Sequence, residues 1–238
     1  MKARPDFERL TRLTQTSTKT FPGIYLTLGA LLISVCFFAA IAEDVSAGEP
    51  LTIIDVRFSA WVHAHQSAAL TVVMRLISQV HSLWFVGAAA FVVSVYWWAK
   101  RLRDRAFILL AVVFGGMLLN FLLKEIFLRA RPRFDPPLPA LTTYSFPSGH
   151  TLTATVFYGV LGWFIVSRSR NWASRLFGFA LAAIMILLVG FSRIYLGAHY
   201  PSDVLGAIAE GLAWLAFCLI AAQTVKWRRD RAHKVDVR

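Results

Sequence analysis

Six stretches of this chain are almost free of charged side chains, and each is long enough to cross a bilayer. They cover residues 21–41, 82–99, 106–123, 151–167, 176–191 and 204–225. As helices rising 1.5 Å per residue they span roughly 24 Å or more, and flanking residues lengthen the shorter ones. A soluble domain of this length does not contain several such runs. Hydrophobic residues make up 57% of the chain and charged residues 16%, against about 25% charged in an average soluble domain. That excludes disorder, which needs low hydrophobicity. It also excludes a basic soluble nucleic-acid binder, despite a net charge of +12. The expected fold is all-α: an integral membrane six-helix bundle forming one domain over 1–238. A polar arm (1–20) precedes the spans (21–225) and a basic tail (226–238) follows them.

Two segments leave a choice. The first run has the length of a retained span, although Ala47-Gly48 can mimic a cleavage site after a signal peptide. The segment 51–80 carries apolar residues at helical spacing (Leu70, Val73, Met74, Ile77, Val80), interrupted by Arg75 and preceded by Asp55, Arg57, His63 and His65. It reads as two amphipathic pieces at the outer membrane interface, with a seventh span as the alternative. Charge decides. The arm, the 100–105 loop, the 168–175 loop and the tail hold 18 basic and five acidic residues, a net of +13. The rest of the chain holds seven basic and eight acidic residues, a net of −1. Six spans put all four basic segments on one side, and a seventh would split them. The positive-inside rule therefore selects six spans in the cytoplasmic (inner) membrane, with both termini cytoplasmic. Cys36 and Cys218 lie in apolar runs and read as small hydrophobes.

The seven basic residues left over are Arg57, Arg75, Lys124, Arg129, Arg131, Arg133 and Arg193. Five of them gather at the outer ends of the third and fifth spans, against the positive-inside trend. Lys124 and Arg131 are seven residues apart and would share a helix face before Pro132 stops the helix. Pro147-Ser148-Gly149-His150 precedes the fourth span. There Ser148 is a natural N-cap, and the free amides make an anion site. Ser192-Arg193, then His199, then Asp203 bridge the last two spans. The His–Asp spacing of four stacks the pair on one helical turn, despite Pro201, and a carboxylate beside an imidazole fixes its tautomer. Singly, these groups read as snorkelling cations, a common cap and a structural pair. The topology puts all three on the same, non-cytoplasmic side, where cations and amides suit a dianionic phosphoryl group and histidines suit a nucleophile and an acid.

These eleven identities, in this order and spacing, resemble the three-part signature of the type 2 phosphatidic acid phosphatase superfamily. The six spans make the chain look like its membrane branch, the lipid phosphate phosphatases. The resemblance implies His199 as nucleophile, Asp203 as its orienting partner and His150 as acid and then base. It implies Lys124, Arg131, Ser148, Gly149 and Arg193 as phosphate-binding residues, with no metal and no cofactor. The alternative, His150, His199 and Asp203 as metal ligands, would set a cation among three others. The implied partners are membrane lipids and a lipid phosphate substrate, with no nucleic acid. Undecaprenyl pyrophosphate comes first, at the periplasmic or extracellular face; phosphatidylglycerol phosphate, phosphatidic acid or lipid A phosphate follow, as does transfer of the phosphoryl group to a lipid acceptor. Arg129 and Arg133 read as solvated or headgroup contacts. Tyr195 reads as an interfacial aromatic and Glu210 as a buried structural hydrogen bond. His63, His65 and His81 show no ligand pattern.

Overall fold

The computed structural model describes residues 21–48, 50–134, 143–169 and 171–236. The arm at 1–20, most of the proline-rich loop and the last two residues of the tail lie outside them. Among these described residues eight helices follow in order: α1 (Phe21–Ala47), α2 (Pro50–Ala64), α3 (Ala68–Val80), α4 (Leu83–Ala99), α5 (Arg103–Phe127), α6 (Gly149–Arg168), α7 (Trp172–Tyr195) and α8 (Pro201–Asp236). No strand occurs among the described residues. Among the described residues five helices (α1, α5, α6, α7 and α8) are long and apolar enough to cross a membrane. The sixth candidate span is α3 and α4 taken together, bent by 47° at their junction. The protein is thus a multi-pass membrane protein.

α6 is the hub. It packs against α4, α5, α7 and α8, while α1 lies along α8. The core joins Val86 and Ala90 of α4, Leu109, Val112 and Val113 of α5, Leu152, Val156 and Val160 of α6, and Ala207, Leu215 and Leu219 of α8. Large apolar side chains such as Ile33, Trp84, Phe91, Ile126 and Phe177 point outward. With lipid outside, an outward apolar side chain costs nothing, and helices approach on small and polar residues instead.

The 51–80 segment forms two helices, α2 and α3, as the sequence suggested, and α3 is set off from α4 by a 47° bend. On α2, Asp55, Ser59 and Val62 are buried, whereas Ile53, Ile54, Val56, Phe58 and Trp61 are exposed. The polar face of α2 turns to the bundle because its inward neighbours are themselves polar.

The helix ends sort by charge. At one end, Arg229 of α8 meets Asp104 of α5 at 3.6 Å, and Arg105 lies over Phe164 of α6. The end of α5, the start of α6, the end of α7 and the start of α8 meet at the other. There Phe146 is fully buried, stacked on Phe38 and edge-on to Phe127. Gly206 admits that ring: a Cβ there would sit 2.5 Å from it. Gly206→Ala should therefore overpack the site, costing about 1–3 kcal/mol. A lower unfolding temperature in detergent, with loss of activity, is the expected outcome.

Candidate active site

The end of α5 sets the first group. Leu128 adopts a left-handed conformation (φ 50°), and its amide donates to the Lys124 carbonyl. The helix stops there, four residues before Pro132, so Lys124 and Arg131 do not share a helix face as the spacing suggested. Instead residues 129–134 leave the helix, with Arg129 reaching the start of α8 and Arg131 the turn before it. Lys124 is buried. Its Nζ donates to the carbonyls of Tyr144 (2.7 Å) and Ser145 (3.3 Å).

Residues 143–148 run back toward α6. The Ser145 amide pairs with the Arg129 carbonyl at 2.8 Å, and the Ser148 amide with the Asp203 carbonyl at 3.1 Å. Ser148 occupies the N-cap position of α6 as expected, but its side chain makes no capping bond. Its hydroxyl accepts from Thr151 at 3.0 Å, which leaves its own proton to donate elsewhere. Gly149 sits against Asn120, Leu83 and Lys124. His150 opens the same helix, close enough to His199, Arg131 and Arg193 to feel their charges.

A tight turn joins α7 to α8. Gly197 takes φ 68°, which a residue without Cβ accepts freely, and the amides of Ala198 and His199 fold back onto the Arg193 carbonyl. Pro201 opens α8, as a first-turn proline can. His199 and Asp203 are both buried, and Nδ1 of His199 lies 3.3 Å from Oδ2 of Asp203. Arg131 Nη1 donates to the Ala198 carbonyl (2.7 Å) and lies 3.3 Å from His199 Nε2. A guanidinium only donates, so Nε2 is the acceptor and the imidazole proton resides on Nδ1, facing Asp203. Arg193 is buried; its Nη1 donates to Ser78 of α3, and its Nε has no hydrogen-bond partner.

The eight expected site residues therefore meet at one end of the bundle. Several contributors were not foreseen. Arg129 is no solvated headgroup contact. Its Nη1 donates to Asp203 Oδ1 (2.6 Å) and Ser202 Oγ (2.7 Å), and its Nη2 to Asp55 Oδ2 (2.8 Å). Asp203 Oδ2 also accepts from Ser145 Oγ and the Tyr200 amide. A lone carboxylate in the apolar stretch around Asp55 was the available signal. Tyr195 is not an interfacial aromatic either: it is buried, and its hydroxyl accepts from the Ser67 amide at 2.9 Å, pinning the α2–α3 turn. Glu210 makes the expected buried bond, accepting from Asn120 Nδ2 at 2.9 Å. His81 lies between the Ile77 carbonyl and the Tyr158 hydroxyl, and His63 stacks on Phe134. Among the described residues no three His, Cys, Asp or Glu side chains group as metal ligands would.

Comparison with known proteins adds a family. Residues 105–227, just over half the chain, match the PAP2 superfamily. The chain is 39% identical over 126 residues to phosphatidylglycerophosphatase B of Bacillus subtilis, covering 52% of this chain and 61% of that one. It is 28% identical over 155 residues to the undecaprenyl-diphosphatase of the same organism, covering 63% and 73%. It thus spans less than two thirds of the first of these relatives. A crystal structure of a transmembrane PAP2-type phosphatidylglycerolphosphate phosphatase from Bacillus subtilis superposes with a TM-score of 0.66 at 28% identity, over 82% of this chain and 96% of that one.

Burial pushes the His199 imidazole down to about 3, against the opposing pull of Asp203. A lowered value means that the proton is lost before neutrality is approached, so His199 stays neutral from pH 5 upward. Nitrogen-15 spectra of histidine-labelled protein should show the neutral Nδ1–H tautomer at pH 5, in a signal missing from His199→Gln. A His199 signal titrating near the ordinary value of about 6.5 would contradict this.

Proposed function

The chain belongs to the PAP2 superfamily, and on that premise we propose that it hydrolyses a lipid phosphate or pyrophosphate through a phosphohistidine formed on His199. One observation carries the reading. Lys124, Arg131 and Arg193 surround a buried His–Asp pair, and none of the three has a carboxylate partner among the described residues. Two of them, Lys124 and Arg193, are more than nine-tenths buried. A buried charge demands a counter-charge. Asp55 and Asp203 are both engaged by Arg129, so these four cations and two carboxylates leave an excess of two positive charges. A phosphoryl dianion balances it.

The chemistry follows from the tautomer. Asp203 holds the Nδ1 proton, leaving the Nε2 lone pair for phosphorus once the phosphoryl group draws Arg131 onto its own oxygens. Nε2 attacks, the phosphorus–oxygen bond to the lipid breaks, and His150 gives its proton to the departing oxygen. Lys124, Arg131, Arg193, the Ser148 hydroxyl and the Gly149 amide hold the equatorial oxygens, where charge grows in the transition state. His150 then takes a proton from water, which attacks the phosphohistidine. Phosphate leaves and neutral His199 is restored. Side-chain cations supply the charge stabilisation, with no metal step.

Undecaprenyl pyrophosphate is the first substrate of this reading. A phosphoglycerolipid monoester is the second, favoured by the 39% identity to a phosphatidylglycerophosphatase. The basic segments that meet at the far end of the bundle face the cytoplasm together with both termini, which turns the site to the periplasmic or extracellular side. A phosphate-release screen over these lipids in detergent tests the reading. Activity should survive a strong chelator, vanadate should inhibit, and His199→Ala should lose at least about 10³-fold in kcat while its unfolding temperature holds. Chelator-sensitive activity restored by a divalent ion would overturn the metal-free route.

A further inference from the structure

We propose that Asp55 of α2, which lies outside the family match at 105–227, is a positioning residue for the His199–Asp203 pair. The proposal rests on the reading of that pair given above. Asp55 is fully buried and has two sets of partners. Its Oδ1 accepts from the Ser202 amide at 2.9 Å. Its Oδ2 accepts from the Ser202 hydroxyl and from Arg129 Nη2 at 2.8 Å. The first contact satisfies one of the free amides that open α8, where a carboxylate is also favoured by the helix dipole. Asp55 thereby ties down the turn of helix that carries Asp203.

The second contact decides how Asp203 is used. Arg129 forks between two carboxylates. One branch holds Asp55; the other holds Oδ1 of Asp203. That leaves Oδ2 of Asp203 for His199 Nδ1, Ser145 and the Tyr200 amide. Without the Asp55 carboxylate, Arg129 is free to turn its whole fork onto Asp203, as guanidinium and carboxylate prefer. It would then compete with His199 for Oδ2, and the imidazole would lose its orienting acceptor. An asparagine at 55 brings this about, because its amide would present a donor either to Arg129 or to the Ser202 amide, both of which donate.

The setting of Asp55 supports a role beyond packing. α2 turns apolar side chains outward and Asp55 inward. A buried ion pair is a weak source of stability compared with apolar residues of similar volume. Holding α2 to the bundle does not require a carboxylate; splitting the Arg129 fork does.

The test is kinetic, using phosphate release from a short-chain phosphatidate in detergent. Asp55→Asn should lower kcat on the order of 10²-fold, as a misplaced nucleophile does, with KM little changed, since Lys124, Arg131 and Arg193 are not among its partners. If Asp55 acts through Arg129, adding Asp55→Asn to Arg129→Gln should lower kcat little further. Wild-type kcat in folded Asp55→Asn, a raised KM at unchanged kcat, or losses that multiply in the double variant would each overturn the proposal. Should Asp55→Asn fail to fold, Ser202→Ala removes one contact to Asp55 without stranding a charge. It should cost roughly tenfold in kcat, and an unchanged kcat would overturn the proposal equally. His199→Ala separates the two levels. If it remains active, the reading of the site itself fails; if it is dead while Asp55→Asn is wild-type, only the positioning role fails.

Discussion

The largely enclosed guanidinium of Arg129 (side chain 11% exposed) is the contact on which the geometry of this site depends. It joins α2, the chain leaving α5 and the first turn of α8, alongside the bonds from Ser202 to Asp55. Asp55 and Asp203 are fully buried, and two carboxylates beside the same Ser202 would repel each other without a cation between them. A planar, permanently charged fork answers both at once, which a lysine cannot do. Once that fork is in place, each oxygen of Asp203 has a separate duty, and the His199 tautomer follows from the duty of Oδ2.

The remaining cations are satisfied differently. Lys124 and Arg131 spend their donors on backbone carbonyls of 143–145 and Ala198, and Arg193 on the Ser78 hydroxyl. Such partners meet the hydrogen-bonding demand of a buried group but leave its charge uncompensated. Asp55 and Asp203 are already engaged with Arg129 and His199, and Glu210 accepts from Asn120. The protein thus maintains a local cation excess at a depth where it is costly, and the unpartnered Nε of Arg193 marks where an acceptor is wanted. Preorganised charge of this kind stabilises a transferring phosphoryl group without rearrangement during the reaction.

The spans and the eleven signature identities were legible in the sequence because each depends on local information: hydropathy over about 20 residues, or identities at fixed spacing. Asp55, Arg129 and Ser78 were not. Their significance lies in contacts across 74 to 147 residues of chain, and no local pattern distinguishes a bridging arginine from one in solvent. The helix argument for Lys124 and Arg131 went astray at Leu128. A residue entering the left-handed region ended α5 before the proline did, and no sequence rule anticipates that at a leucine. For α2 the sequence left open which way its polar residues face. Beside a polar site and lipid, the same residues face inward.

Summed charge conceals this division between two kinds of arginine. Arg229, 70% exposed, pairs with an Asp104 that is 84% exposed; such a pair contributes little to stability. Arg193, 8% exposed, has no carboxylate partner among the described residues and lies in the candidate site. Burial, not residue type, separates the two arginines, and the collar 50–81 packs against the site. That collar gives Asp55 to Arg129, Ser78 to Arg193, and Gln66 and Ser67 to Tyr195. The signature lies within the family match, while the collar that seals and orients it lies outside. Chains can therefore share every signature residue and still differ in how firmly each one is held.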